Sequence, residues 1–168
     1  MLNDLPKQID PIHLAQQSVV LNGDIDFDDM PRLQSSLNDK QGSAYFEWHF
    51  TQDEDKHHLI QGSIKSTVGL ICQRCLKPVA WVVNQKVGLM ILTQRHTEND
   101  LPDGYDALEL EHNPIELISL VEDELILALP IIASHDICPE NEYQQAETWE
   151  HFREDSNPFS VLKNLKND

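Results

Sequence analysis

The sequence predicts an α+β fold in which an antiparallel β-sheet of meander topology packs against a long helix. Two patterns support this prediction: apolar and polar residues alternate over residues 44–93, and apolar residues recur at helical spacing over residues 115–129. Helix starts near the N-terminus add short helices before the sheet, and an acidic stretch after the long helix predicts a flexible C-terminal region.

The N-terminal residues predict two short helices separated by a strand. Asp10 can cap a helix over residues 12–17, in which Pro11 suits the first turn because its missing N–H is not needed there. Residues 19–27 alternate as in a strand with one polar face. A second helix is predicted from residue 30 to the polar segment 38–42, with Asp28 and Asp29 as its caps and with Met30, Leu33 and Leu37 as its apolar stripe.

The middle of the chain predicts three long strands, at residues 44–51, 59–71 and 78–93. Short polar links separate them, so each strand is expected to pair with the next one in a meander. The polar segment 94–113 that follows is predicted to be a long loop containing a short strand at residues 105–110.

The clearest helix is predicted at residues 114–129. Asn113 can cap its first backbone N–H groups, Glu116 completes a capping box three residues later, and Pro130 ends the helix. We therefore expect a core domain at residues 1–135, followed at residues 136–168 by an acidic linker and a short tail that contains an Asn-Pro-Phe motif.

Composition restricts the class of protein. No apolar run reaches the roughly 18 residues of a membrane span, and the N-terminus shows no basic patch followed by an apolar stretch, so neither a membrane partner nor a secretory leader is expected. Three cysteines, two of them only three positions apart, argue against a disulfide framework. This cysteine usage favours a reducing compartment, and the expected location is the cytoplasm.

Charge is distributed unevenly along the chain. The formal net charge is −17, yet residues 56–97 contain no Asp or Glu and hold six of the 12 Lys and Arg residues. This basic island predicts a surface that contacts RNA phosphates or an acidic protein. The alternative is an ordinary exposed sheet face, on which lysine discourages pairing between edges. The island residues predicted to bind a partner are Lys65, Arg74, Lys77 and Lys86.

Two pairs of potential metal ligands share the same spacing. Cys72 and Cys75 are separated by two residues, as are His135 and Cys138. Together they predict a closed, structural Cys3His zinc site without an open position for a substrate. Two alternatives remain: a hairpin turn without metal, or a redox-active cysteine pair. The redox pair fits less well, because such a motif opens a helix after a strand, whereas a further strand is predicted here.

No catalytic residues are predicted. Consecutive carboxylates at residues 122–124 point in different directions on a helix, so we interpret them mainly as its solvated face. His57 and His58 are neighbours on a strand and face opposite sides of the sheet, so they cannot share a ligand.

The C-terminal tail, residues 157–166, combines apolar and basic residues. A short motif of this kind suits docking into a groove on a partner, and the alternative is that it packs on its own sheet. The predicted partner-binding residues in the tail are Phe159, Leu162, Lys163, Leu165 and Lys166.

Three segments resemble the YceD family of large ribosomal RNA subunit accumulation proteins. They are CQRCLKP at 72–78, VEDELILALP at 121–130 and NPFSVLKNLK at 157–166, and the resemblance extends from about Asp10 to the end of the chain. Relatives with a fuller cysteine set carry more cysteines after the helix, where this chain has only His135 and Cys138. The resemblance implies no established catalytic residues.

The resemblance implies a bacterial, cytoplasmic ribosome-biogenesis factor that is needed for accumulation of large-subunit (23S) ribosomal RNA. It implies neither an enzymatic activity nor a small-molecule substrate. The expected partners are the ribosomal RNA precursor or a pre-ribosomal particle, and ribosomal or RNA-processing proteins. Two alternatives are a metal-dependent RNA-processing enzyme, which requires a metal with an exchangeable water, and an acidic chaperone for basic ribosomal proteins.

Overall fold

The computed structural model describes residues 5–93, 101–110 and 112–139 and has an α+β architecture. The elements in chain order are β1 Gln8–Ile9, α1 Pro11–Gln16, β2 Val20–Asp26, a 3-10 turn Phe27–Asp29, α2 Pro31–Gln34, β3 Ser43–Gln52, β4 His58–Ile71, β5 Pro78–Leu92, β6 Asp106–Glu109, β7 Ile115–Glu116 and α3 Leu117–Leu127. A five-stranded sheet has the strand order β2-β3-β4-β5-β6, and a two-stranded sheet pairs β1 with β7. Among the helices of the described ranges, none has the length and apolar composition of a membrane span.

The predicted meander of the three long strands is confirmed for β3 to β5, and the predicted N-terminal strand, β2, pairs antiparallel with β3. The short strand predicted at residues 105–110 is also present, as β6, but it runs parallel to β5. One face of the sheet is buried and carries Phe46, Trp48 and Phe50 of β3. The rings of Phe46 and Trp48 meet edge to face with centroids 5.2 Å apart. Alternation leaves most of the opposite face for solvent, except near Leu59 and Met90, which are paired with each other and are buried as well.

The first helix begins as the sequence predicts. The Asp10 side chain accepts a hydrogen bond of 3.0 Å from the backbone N–H of His13, which satisfies one of the free donors at the start of α1. Upstream of this helix, β1 pairs antiparallel with β7 through Gln8 opposite Glu116 and Ile9 opposite Ile115.

The helix predicted at residues 114–129 is present but shorter than predicted, and the structure does not show it as a long helix that covers the sheet. Helix α3 spans only Leu117–Leu127, and Glu116 precedes it without a side-chain cap bond. The preceding residues are drawn into β7 instead, because their backbone groups pair with β1 and the Leu117 N–H donates to the Lys7 carbonyl. The buried face of the sheet is therefore shared, with α1 on β3 and β4 and α3 against α2 and β4.

The predicted capping of the second helix is also wrong. Asp28 and Asp29 lie in the 3-10 turn, and Met30 at the N-terminal boundary of α2 makes no side-chain cap bond. The N–H groups at the start of α2 donate instead to the Glu122 carboxylate of α3, from Arg32 at 2.7 Å and from Leu33 at 3.0 Å. A carboxylate distant in sequence performs the capping function.

Candidate metal centre

The two cysteines of the CxxC motif lie on the hairpin turn between β4 and β5. The Cys72 N–H donates to the Lys77 carbonyl at 3.0 Å, and the Leu76 N–H donates to the Cys72 carbonyl at 2.8 Å. Leu76 adopts the left-handed backbone conformation with φ of 58°, which lets the chain reverse direction directly after Cys75. Both cysteine side chains are buried by this turn.

The segment after α3 folds back onto this turn and brings the second ligand pair with it. The Gln73 N–H donates to the Ala133 carbonyl at 2.8 Å. The Arg74 guanidinium reaches the same segment, donating from Nη2 to the His135 carbonyl at 2.8 Å and from Nε to the Cys138 sulfur at 2.9 Å. These bonds fix residues 133–138 against the cysteine turn.

The four predicted ligands converge on one point, with their ligating atoms all within 4.8 Å of one another. Cys72 Sγ lies 3.7 Å from Cys138 Sγ, and Cys75 Sγ lies 3.4 Å from His135 Nδ1. Tetrahedral zinc with bonds of about 2.3 Å to sulfur and about 2.0–2.1 Å to nitrogen separates two sulfurs by about 3.8 Å and a sulfur from a nitrogen by about 3.6 Å. The donor set and its spacing therefore fit a tetrahedral zinc ion.

A hydrogen bond to a backbone carbonyl orients the His135 ring for this role. His135 Nε2 lies 3.1 Å from the Pro78 carbonyl, which can only accept, so Nε2 carries the proton. His135 Nδ1 is then the nitrogen with a free lone pair, and it faces the cysteines. An outer carbonyl partner of this kind is usual for metal-binding histidines, since it fixes the tautomer and the ring orientation.

The electrostatics of the cluster favour thiolate at one cysteine. Burial raises the pKa of Cys72 and is the largest single effect on it. The backbone N–H groups of Cys75, His135 and Arg74 oppose burial and together lower the pKa of Cys72 to about 5. Burial raises the pKa of Cys75. One sulfur is thus a ready ligand at neutral pH, while another must lose its proton when a metal binds.

Arg74 has a role at the cluster that the sequence prediction missed. Three thiolates and a neutral histidine around a divalent ion leave one net negative charge, and the guanidinium donates directly to the Cys138 sulfur. Its hydrogen bond with Cys138 raises the pKa of Arg74. The only signal in the sequence is the position of Arg74 inside the CxxC motif, and the sequence analysis assigns Arg74 to a basic surface for RNA phosphates or an acidic protein.

The four predicted basic residues form two groups. Lys65 and Lys86 are exposed on the solvent face of β4 and β5, where Lys65 lies opposite Asn84 and Lys86 opposite Ser63. Their Cβ atoms are diagonal neighbours, at a typical separation of roughly 7–8 Å. Arg74 and Lys77 lie at the hairpin turn, roughly 20 Å further along β4 at about 3.3 Å per residue.

The surroundings of the two lysines are mixed in charge. Glu47 of β3 lies on the same face, and Tyr45 is directly opposite Lys65. A hydrogen bond from His49 is the largest of the effects that lower the pKa of Glu47, and Lys65 adds to them. The cationic part of the face is therefore confined to β4 and β5. The predicted partner-binding residues of the tail, at 159–166, lie outside the described residues.

Two of the carboxylates at residues 122–124 bind Arg32 of α2. Glu122 is only 3% exposed, so the prediction of a solvated helix face is wrong for this residue. Besides accepting from two backbone N–H groups of α2, it accepts from Arg32 Nε at 2.8 Å. Asp123 binds the same guanidinium. No local signal in the sequence links these residues to Arg32, because the partners are about 90 positions apart.

Comparison with known proteins gives a consistent result. A family model described as large ribosomal RNA subunit accumulation protein YceD matches residues 60–166, which include the cysteine turn, the His135–Cys138 pair and the tail. The chain is 32% identical over 167 residues to the protein of that name from Haemophilus influenzae, and the match covers 96% of each chain. No solved structure matches the chain.

Proposed function

The chain belongs to the YceD family of large ribosomal RNA subunit accumulation proteins, and from this premise we propose that it supports accumulation of large-subunit ribosomal RNA in the cytoplasm as a non-catalytic binding factor. The observation that carries this proposal is the open face of β4 and β5, which presents Lys65 and Lys86 to solvent. We infer that this face contacts phosphate groups of ribosomal RNA or of a pre-ribosomal particle.

The acidic remainder of the chain favours a selective contact. Edge strand β2 exposes Asp24 and Asp26, and the net charge of −17 opposes nonspecific binding of nucleic acid. On the described face of the sheet, the part that carries Lys65 and Lys86 can approach a phosphate backbone with the least repulsion. The same acidic edge favours a second candidate function, the binding of basic ribosomal proteins. In that function Lys65 and Lys86 would make no contact with the partner.

A charge reversal on the sheet face separates these two functions. We expect Lys65→Glu combined with Lys86→Glu to weaken binding to large-subunit ribosomal RNA fragments. Losing two phosphate contacts should also reduce the slope of log K against log salt by roughly 1.4 to 1.8. Lys7→Glu combined with Lys40→Glu, at two exposed positions outside the island, is the control with the same change of net charge. If both variants bind RNA like the unchanged chain, while a basic ribosomal protein still binds, the chaperone function replaces the RNA contact.

The metal cluster supports a structural role within this function. Four protein ligands complete a tetrahedral zinc shell, so no position remains for a substrate or an activated water. We propose that zinc bound by Cys72, Cys75, His135 and Cys138 ties the β4–β5 turn to the segment after α3. The competing hypothesis of a metal-dependent RNA-processing enzyme requires an exchangeable water on the metal. Cobalt substitution tests this, since four protein ligands predict an intense tetrahedral visible spectrum that added anions leave unchanged.

A further inference from the structure

An apolar groove lies beside the metal cluster, between the end of β4 and the segment after α3. It encloses about 550 Å³, and none of its lining residues is charged, although 24% of the residues in the chain are. The lining residues are Ser36, Leu70, Ile71, Gln73, Leu76, Ile126, Leu129, Pro130 and Ala133. A groove of this composition suits an apolar peptide segment and offers nothing to a phosphate backbone.

Large apolar side chains are exposed around the same groove. Leu76 is 67% exposed, and Ile131 and Ile132, which lie between the lining residues Pro130 and Ala133, are 96% and 65% exposed. Clustered exposure of this kind on one surface is unusual for a soluble chain and marks an interaction site. Leu76 adds a second argument, because it has a left-handed backbone that glycine would adopt at lower cost. Leu76 combines a strained backbone with an exposed apolar side chain, so its side chain does not serve the packing of the core. We interpret it as a contact for a bound segment.

The groove is preformed. The Gln73 N–H donates to the Ala133 carbonyl at 2.8 Å, and Gln73 Nε2 lies 3.4 Å from the Ile131 carbonyl. These bonds join the two walls directly. A peptide that enters the groove therefore pays little to order its binding site.

The position at which the described chain ends identifies the occupant. Cys138 lies against Cys72 at the groove-side turn, and the described chain ends one residue later, at Pro139. Seventeen residues, 140–156, then lead to the tail. A random coil of 17 residues has a root-mean-square span of roughly 20–25 Å, so a segment of this length is sufficient to return to a groove beside its starting point.

The tail has the composition that the groove requires. Phe159, Leu162 and Leu165 recur at every third position, which places them on one side of a short helix. The tail also carries two basic residues, Lys163 and Lys166. Residues 1–139, in contrast, contain 22 acidic and nine basic residues and so have a net negative charge. We propose that residues 157–166 dock in this groove of the same molecule, with the three apolar side chains inward and the lysines toward the acidic body.

Docking within one molecule has a direct consequence. The linker gives the tail an effective concentration in the millimolar range, so even a weak apolar contact is populated in the free chain. A binding partner that uses the tail must then compete with the groove. This inference does not depend on the proposed RNA contact, because it involves neither Lys65 nor Lys86.

Photo-crosslinking in the full chain tests the proposal. Benzoylphenylalanine replaces Phe159, and the crosslinked peptides are identified by mass spectrometry after mixing isotopically labelled with unlabelled chains. We expect crosslinks to residues 70–76 and 126–133 within one molecule. The same probe at Tyr143, an aromatic position in the linker, is the matched control and should give several-fold less of these products. Crosslinks to other surfaces, or mixed-isotope products that show docking onto a second copy, would overturn the proposal.

Two substitutions, one in the groove and one in the tail, give an independent readout. Leu76→Gly removes an exposed side chain and relieves the left-handed strain, so it should lower the crosslink yield several-fold without lowering the melting temperature. Phe159→Asp should speed amide hydrogen exchange in residues 126–133, whereas Asn164→Asp, a charge change between the apolar positions, should leave that exchange unchanged. Equal exchange in the chain with and without Phe159→Asp would show that the tail does not cover the groove.

Discussion

Replacing Glu122 by alanine should destabilise the fold by about 3 kcal/mol, most of it from two orphaned backbone donors. Glu122 Oε1 accepts from both the Arg32 N–H and the Leu33 N–H, and Leu33 is fully buried. A buried donor without a partner costs roughly 1–3 kcal/mol. The Arg32 guanidinium is 51% exposed, so it rehydrates and its lost ion pair adds only about 0–1 kcal/mol.

A graded series tests this division of the energy. The Oε1 atom of glutamine can keep both backbone bonds, so Glu122→Gln should cost only about 1 kcal/mol, for the lost charge assistance and the mismatched Arg32 Nε. Asp123→Asn, at the half-exposed partner of the same guanidinium, should cost less than about 1 kcal/mol. Both variants act as controls for the helix and for its net charge.

Urea unfolding followed by circular dichroism at fixed metal content measures the series. With a slope near 2 kcal/mol per molar urea, Glu122→Ala should move the midpoint down by about 1.5 M. The reasoning is refuted if alanine costs less than about 1 kcal/mol, or if alanine and glutamine cost the same. Either result would mean that α2 does not depend on a carboxylate from α3.

Three further predictions concern the metal centre and the sheet. Purified protein should contain about one zinc ion per chain, measured by metal analysis. Cys75→Ser should lower both the zinc content and the melting temperature. If the protein without substitutions contains no zinc, the proposed zinc site is wrong. Arg74→Ala should weaken zinc affinity by roughly 10- to 100-fold in a chelator competition assay, because it removes a hydrogen-bond partner of a ligand sulfur. Lys77→Ala is the control for the lost charge. Equal zinc affinities of the Arg74→Ala variant and the unchanged chain would contradict the role of Arg74. Gly62→Ala should unfold or strongly destabilise the chain in thermal melts, because a Cβ there would lie 1.9 Å from the Glu47 carbonyl oxygen and 2.9 Å from Trp48 Cδ1. Ser63→Ala, a change at the next residue on the same strand, should alter the melting temperature by little. A stable Gly62→Ala variant would contradict the close approach of β3 and β4.

Local patterns in the sequence were sufficient for the parts of the fold that depend on neighbouring residues. Alternation located β2 to β5, and Asp10 before Pro11 located α1, because strand faces and helix caps are set within a few positions. The same reasoning placed Asn113 and Glu116 in a helix start. That prediction failed because β1, more than 100 positions away, pairs with residues 115–116.

For the candidate site, the sequence by itself determined the identity and spacing of the four ligands and the presence of two lysines on one solvent-facing strand surface. Only the tertiary structure decided that His135 and Cys138 return to the cysteine turn, that Arg74 serves a sulfur, and that Glu122 is a buried cap. The physical reason is that the type of each ligand and the alternation along a strand depend only on the identities of residues close together in the sequence. Convergence, burial and the choice of hydrogen-bond partner depend on which segments pack together, and packing acts between residues that are distant in the chain.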